Sequence, residues 1–283
     1  MRFPRTLLLL IVLIGAAMAK DVSQAQKELQ SIISRQQLLF LKAQRALDAD
    51  DKNFDESDFK TQAQDIGYAF EDYLKKYPDV AAGYAALGEF FRRCDDRKRA
   101  IPMFLKANKL DPNLPFVKNQ LGSFLAEDGK PLEAVNYFIA AIKLEPKEPL
   151  YHYQLGTLLF EARDEFLLSG NWTRAALDNA MLEAFRRAAE LAPDRIEFTY
   201  RYGESFYDLE KPDWDAALKV WADLEEKVKP GIEQQTIRLH CANILIKQNK
   251  IDHAKALLST VDAEVLKTQK EKLIAELPEN AKK

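Results

Sequence analysis

Apolar and small residues recur along the middle of the chain at a fixed interval of 34 positions. The recurring set holds a Leu-Gly pair, two alanines, a phenylalanine and a proline. It consists of Leu87-Gly88, Leu121-Gly122 and Leu155-Gly156, with Ala100 and Ala134, Phe104 and Phe138, Ala107 and Ala141, and Pro112 and Pro146. Self-similarity at one fixed period is the sequence signature of a repeat protein. The pattern therefore predicts an array of similar units.

The types of residue at these positions predict two helices in each unit. A glycine lets two helices approach closely because no Cβ intervenes, and an alanine supplies a small partner on the second helix. We expect Phe104 and Phe138 to fill the gap to the next unit. Pro112 and Pro146 cannot continue a helix, so they end the second one. Each period is thus expected to be a helix-turn-helix unit.

The spacing resembles the tetratricopeptide repeat, whose pattern is W-x2-L-G-x2-Y…A-x3-F…P. The unit 81–114 adds Tyr84 and Phe91 to the recurring set, whereas unit 115–148 has Lys118 where an aromatic residue is usual. The resemblance implies an all-α fold, a right-handed α-solenoid of about five to six helix pairs.

Looser copies of the pattern extend the array in both directions. A divergent N-terminal helix pair is expected over 20–80, with helices at 22–49 and 57–76. A capping helix and tail are expected over 263–283. The array itself spans 81–262, and its predicted units are 81–114, 115–148, 149–195, 196–234 and 235–262.

The third unit carries 13 extra residues between its helices. We expect them to lengthen both helices, with 161–168 continuing the first. Phe166, Leu167, Leu168 and Trp172 would then cluster near the tip, either exposed as a contact site or packed on each other. Asn171-Trp172-Thr173 matches a glycosylation acceptor, but we interpret Asn171 or Thr173 as a helix cap after Gly170.

The N-terminus has the three-part layout of a secretory signal peptide. Two arginines precede an apolar run that ends in Ala17-Met18-Ala19. The run from Leu7 to Ala19 has 13 residues, against about 20 for a membrane-spanning helix. We expect a signal peptide over 1–19, cleavage before Lys20 and a periplasmic or secreted protein. The alternative is a protein anchored to the membrane by an uncleaved segment.

Composition argues against several other classes of function. The 41 Lys and Arg residues do not outnumber the 44 Asp and Glu residues, so no basic excess points to nucleic acid. Two cysteines and three histidines leave little material for a metal site. No serine lies in a nucleophile elbow. We expect no metal, no cofactor, no nucleic-acid partner and no enzymatic activity.

Single residues outside the pattern receive structural interpretations. Cys241 lies in an apolar helical run and is expected in the core, and no disulfide to Cys94 is expected. His152 is expected to pack or to line the groove. The basic cluster Arg92, Arg93, Arg97, Lys98 and Arg99 surrounds a turn that Asp95 and Asp96 neutralise.

The resemblance implies a module that binds a peptide or partner protein along a concave surface lined by the first helices. The alternative is a scaffold that self-associates within an envelope complex. In the expected register the groove holds six acidic residues and five aromatic residues, which favours Lys or Arg in the partner and apolar residues on the tyrosines. The alternative for the tyrosines is packing on neighbouring helices. The predicted groove residues are Glu89, Arg92, Arg93, Phe116, Asn119, Ser123, Glu127, Tyr153, Thr157, Phe160, Glu161, Glu197, Tyr200, Glu204, Tyr207 and Asp208.

Overall fold

The computed structural model describes residues 23–278, and the predicted signal peptide and its cleavage site lie outside them. Within this range the chain forms fourteen α-helices and two 3-10 turns, with no strand. The predicted all-α fold is confirmed. The described chain separates into two compact units whose boundary in the sequence lies between Val117 and Lys118.

The first unit contains four helices and the start of a fifth. Side chains at the helix starts accept hydrogen bonds from backbone N–H groups and so fix three of these starts: Ser23, Asp55 and Asp96. The first helix packs against the second, the second against the third and the third against the fourth. The helices are α1 (Gln24–Asp48), α2 (Glu56–Lys76), α3 (Ala81–Arg93), α4 (Arg97–Leu110) and α5 (Pro115–Glu127), which continues into the second unit.

The second unit contains the remaining helices, again packed mostly in sequence order. A 3-10 turn at Phe206–Asp208 follows α10, and another at Glu264–Leu266 precedes α14, which packs on α12 and α13. The helices are α6 (Pro131–Leu144), α7 (Pro149–Glu161), α8 (Arg163–Leu168), α9 (Arg174–Leu191), α10 (Ile196–Ser205), α11 (Trp214–Glu225), α12 (Ile232–Lys247), α13 (Ile251–Ser259) and α14 (Lys267–Ala275).

Four repeats share one close contact between their two helices. A glycine of the first helix lies directly against an aromatic ring of the second, and a Cβ added to it would lie 3.0 Å or less from that ring. The ring packs on its own repeat and, as the sequence led us to expect for Phe104 and Phe138, also meets the next one: Phe104 lies 5.9 Å from Phe116, and Phe138 shares a buried cluster with Leu158. The four pairs are Gly88 with Phe104, Gly122 with Phe138, Gly156 with Phe185, and Gly203 with Trp221.

The extra residues of the third repeat form a short separate helix. The expectation that 161–168 continues the first helix is wrong, because α7 ends at Glu161 and Ala162 leaves the helical conformation (φ −102°, ψ 28°). The new helix α8 packs against α6, α7 and α9. Its Phe166 is fully buried, 5.6 Å from the ring of Trp172. Among the four apolar residues predicted at this tip, Leu167 and Trp172 are half-buried and Leu168 is exposed, with 86% of its surface open to solvent.

The Asn171-Trp172-Thr173 motif lies at the start of α9 and provides its cap. Thr173 caps the helix, since its Oγ1 accepts a hydrogen bond from the Ala176 N–H at 3.2 Å. Gly170 precedes it in the left-handed region, with φ of 72°, where glycine has no steric penalty. The turn before α9 therefore follows directly from these two residues.

The glycine contacts predict a position-dependent response to a single added methyl group. Gly203→Ala would put its Cβ 2.6 Å from Cε2 of Trp221, whose side chain is fully buried. Overpacking of this kind costs about 1–3 kcal/mol. The matched control is Gly67→Ala on α2, where the nearest atom lies at an ordinary 3.5 Å and alanine stabilises a helix by up to about 1 kcal/mol. Thermal melting followed by circular dichroism measures both; equal melting temperatures would refute the proposed close approach.

The insertion predicts ordered, protected structure across α8. The Phe166 N–H bonds to the Ala162 carbonyl at 3.1 Å, and Phe166 anchors the helix in the core. Phe166→Ala should destabilise by about 3–5 kcal/mol and abolish amide protection over 163–168. Leu168→Ala, at the exposed tip, should leave protection unchanged. Hydrogen exchange with mass spectrometry provides the measurement, and fast exchange of these amides in the unmodified protein would contradict the structure.

Candidate functional site

The predicted groove residues of α3 do not form an open surface. Glu89 is only 3% exposed, and its carboxylate accepts two hydrogen bonds from the Arg92 guanidinium, at 2.7 and 2.8 Å. The Arg93 guanidinium lies 3.9 Å from the centre of the Phe40 ring. The prediction that Glu89 faces a groove is wrong, because its carboxylate is buried and paired within its own helix.

The basic turn after α3 is compensated locally, as the sequence suggested. Asp96 caps α4 and also accepts a hydrogen bond from Arg99 Nε at 2.6 Å. This bond to Arg99 lowers the pKa of the Asp96 carboxyl. Arg99 also lies 4.3 Å above the Phe91 ring. The turn therefore offers little free positive charge from Arg99.

Helix α5 places its predicted groove residues at different depths. The Phe116 ring packs edge-on against Phe104, with 5.9 Å between ring centres. Asn119 is fully buried, and its backbone carbonyl oxygen accepts a hydrogen bond from the Ser123 hydroxyl at 3.2 Å. Glu127 alone is exposed. Asn119 therefore gives a partner no direct access.

In the second unit, some predicted groove residues of α7 and the start of α10 pack on other side chains, and others are exposed to solvent. The Tyr153 ring lies 5.7 Å from Phe185 and 4.9 Å from Phe198, so it packs on neighbouring helices. Glu161 is exposed. Glu197 is also exposed, but its carboxylate lies 2.7 Å from Arg195.

Tyr200 and Tyr207 converge on one histidine, His240 of α12. The Tyr200 hydroxyl lies 2.8 Å from His240 Nε2, and the Tyr207 hydroxyl lies 3.3 Å from Nδ1 and from the His240 carbonyl oxygen. The imidazole itself stacks on Trp221 at 4.0 Å with a 2° angle between the planes. Both tyrosines remain half-buried rather than enclosed. The cluster thus fixes two partly open aromatic rings.

A neutral imidazole satisfies every bond in this cluster. The Tyr200 hydroxyl can donate to Nε2, Nδ1–H can donate to the Tyr207 oxygen, and the Tyr207 hydroxyl can donate to the His240 carbonyl. Burial lowers the pKa of His240 to about 4 and raises that of Tyr200 to about 12. His240 is therefore uncharged at neutral pH.

Arg201 lies closer to the carboxylate of Asp208 than to that of Glu204. Its guanidinium lies over Phe160 and Phe185, at 4.3 and 4.7 Å, and 3.4 Å from the Asp208 carboxylate. Its distance to Glu204 is longer, 3.9 Å. Asp208 is therefore the better compensated of the two acids.

The turn that carries Tyr207 and Asp208 is held by a buried carboxylate, Asp178 of α9. Asp178 is 6% exposed and accepts hydrogen bonds from Arg174 Nε and from the Glu210 N–H, both at 2.8 Å. Arg174 also donates to the Asp208 carbonyl at 2.6 Å. Sequence reasoning missed Asp178, since nothing in the repeat pattern marks it.

The remaining singled-out residues have structural roles. Both cysteines are free, and Cys241 is buried as expected. His152 is buried, with Nε2 3.0 Å from the Pro146 carbonyl oxygen. Across residues 23–278, no cluster of side chains is suited to hold a metal ion. In the same range, none of the helices combines the length and apolar character needed to span a bilayer.

Comparison with known families identifies the repeats. A family model for the tetratricopeptide repeat matches residues 81–114 and 117–148. These two stretches are therefore similar to the tetratricopeptide repeat. No curated protein matches the sequence.

Solved structures extend the likeness over most of the chain. PilF of Pseudomonas aeruginosa superimposes with a TM-score of 0.58 at 16% identity, covering 90% of this chain and all of PilF. YrrB, described as a TPR protein with an unusual peptide-binding site, gives 0.56 at 18% identity, covering 75% and 94%. PilW, a type IV pilus biogenesis factor, gives 0.53 at 13% identity, covering 87% and 99%. Identities this low show the fold alone, and they support the α-solenoid class of the tetratricopeptide repeats.

The neutral His240 predicts a stability that falls on acidification. Because its pKa is near 4 in the folded protein and about 6.5 when unfolded, the unfolded chain binds more protons between these values. The contribution of His240 is present above about pH 6.5 and is lost as the pH falls towards 4, by about 3 kcal/mol in total. Denaturant unfolding from pH 7.5 to 4.5 should show this loss, and His240→Gln should flatten it. The control is His253→Gln on the surface of α13, which should leave the profile unchanged; identical profiles for both variants would refute the assignment.

Proposed function

We propose that this protein is an exported, non-catalytic interaction module that binds a segment of a partner protein on the first-helix surface of its second unit. The observation that carries the proposal is a row of half-buried side chains on α7, α10, the 3-10 turn after α10, and α12, which contact one another. These side chains are Phe160, Tyr200, Arg201, Glu204, Tyr207 and His240.

The fixed geometry favours binding because little side-chain entropy remains to be lost. Tyrosine offers a large apolar area and a polar end at low entropic cost, which makes it a common anchor at protein interfaces. Here the Tyr200 and Tyr207 hydroxyls are already bonded to His240. A partner would meet rings that are already ordered, and such preorganisation increases affinity.

The proposed location rests on the N-terminal pattern of two arginines, an apolar run and Ala17-Met18-Ala19. Among proteins of similar fold, PilW is described as a type IV pilus biogenesis factor and YrrB as carrying a peptide-binding site. These descriptions support a role in binding or assembly in the cell envelope. The proposal includes no metal, cofactor or nucleic acid.

Site-specific photo-crosslinking in the source organism tests the proposal. A photoreactive amino acid replaces Glu161 or Glu204, which lie on first helices. The matched controls replace Glu190 on α9 or Glu226 at the end of α11, which belong to second helices and are exposed. We expect one partner to crosslink from the first-helix sites and not from the controls. Crosslinks from Glu190 and Glu226 alone would place the binding surface elsewhere.

Light scattering after size-exclusion chromatography distinguishes the scaffold alternative. A module that binds a different protein is expected to elute as a monomer of the mature mass. A stable oligomer, together with self-crosslinking from Glu161 or Glu204, would favour self-association as the function of this face.

A further inference from the structure

Of the three carboxylates on α10 and the 3-10 turn after it, the one at Glu204 has the most distant cation. Glu197 has Arg195 at 2.7 Å, and Asp208 has Arg201 at 3.4 Å. The Glu204 carboxylate lies 3.9 Å from the same Arg201, which it must therefore share. Its side chain is 39% exposed, so a partner can reach it.

Glu204 stands between two aromatic rings. Tyr200 lies one helical turn before it, at the i, i+4 spacing that places two side chains side by side. Tyr207 follows three residues later, in the 3-10 turn at the end of the helix. Because both hydroxyls bond to His240, the positions of the two rings are fixed on either side of Glu204 in the sequence.

The surroundings of Glu204 favour an added positive charge. Burial raises the pKa of the Glu204 carboxyl, Arg201 lowers it, and the neighbouring Asp208 raises it again. A cation next to Glu204 would offset the unfavourable effects of burial and of Asp208. Aromatic rings also attract a cation placed over their faces.

From this geometry we infer that Tyr200, Glu204 and Tyr207 form a subsite for one Lys or Arg side chain of the bound protein segment. The inference rests on the proposed function and names the partner chemistry of the same surface. The methylene stem of a lysine or arginine would lie against the tyrosine rings, and the charged end would meet the Glu204 carboxylate. Asp208 is not the counter-ion in this arrangement, because Arg201 and the bond from Arg174 to its carbonyl already commit it to the turn.

The test selects peptides from a random 12-residue library displayed on phage. Three baits are used: the mature protein, Glu204→Gln, and Glu226→Gln as a control with the same chemical change on the other side of the repeat. Within residues 23–278, no hydrogen bond joins the Glu204 side chain to the backbone. We therefore expect the three baits to have the same melting temperature. Peptides from the unmodified bait should carry Lys or Arg at one fixed position next to apolar residues. This preference should persist with Glu226→Gln and disappear with Glu204→Gln.

Calorimetry with one selected peptide then measures the contact directly. Replacing its conserved Lys or Arg with Gln should weaken binding to the unmodified protein at least tenfold and leave binding to Glu204→Gln within twofold. Selected peptides without a Lys or Arg preference, or with one that Glu204→Gln retains, would overturn the subsite while leaving the proposed function standing. Failure of the unmodified bait to enrich any peptide would count against the proposed function, and with it the subsite.

Discussion

The close approach of a glycine on one helix to an aromatic ring on the next is the contact on which four of the repeats depend. At four places a Cβ would lie between 2.6 and 3.0 Å from that ring, so only glycine allows the observed helix spacing. The ring fills the space that the missing side chain leaves, and dispersion contacts over its whole face stabilise the pair. Helix pairs built on one such contact repeat the same geometry along the chain.

Trp221 connects this framework to the proposed recognition surface. Its indole packs on Gly203, meets Tyr200 edge-on at 4.9 Å and stacks on His240 at 4.0 Å. A side chain that sets helix spacing therefore also orders the histidine that holds both tyrosines. The other three repeats have phenylalanine at this position. The larger tryptophan reaches α12 and joins two repeats through one buried cluster.

The sequence was informative about the framework because its requirements are local. Gly88 and Gly122, like Phe104 and Phe138, lie 34 residues apart, and the short loops between the helices leave few alternatives for helix pairing. The helices predicted at 22–49 and 57–76 correspond to α1 (Gln24–Asp48) and α2 (Glu56–Lys76). The break at Ala162 was different, because helix-forming residues continue through it and the tertiary contacts of α8 decide where α7 ends.

The repeat register could not predict how deeply each side chain of the candidate site is buried or which residue it binds. Glu89 and Glu204 have equivalent positions in their repeats, yet the first is 3% exposed and bound to Arg92 while the second is open. His240 escaped notice because its partners lie 33 and 40 residues earlier in the chain. Such contacts depend on how neighbouring helices meet.

The repeat register also could not predict the charge that the groove presents to a partner. A count of acidic residues suggests a uniformly negative groove, but ion pairs remove several members from that count. Glu89 is paired with Arg92, Glu197 with Arg195, and Asp208 with Arg201. Because an exposed ion pair contributes little to stability, these pairs matter more for specificity: they decide which carboxylates remain open to a partner. Specificity on this surface thus depends on the carboxylates that the protein pairs least closely, such as Glu204, which lies 3.9 Å from Arg201 and is flanked in the sequence by Tyr200 and Tyr207.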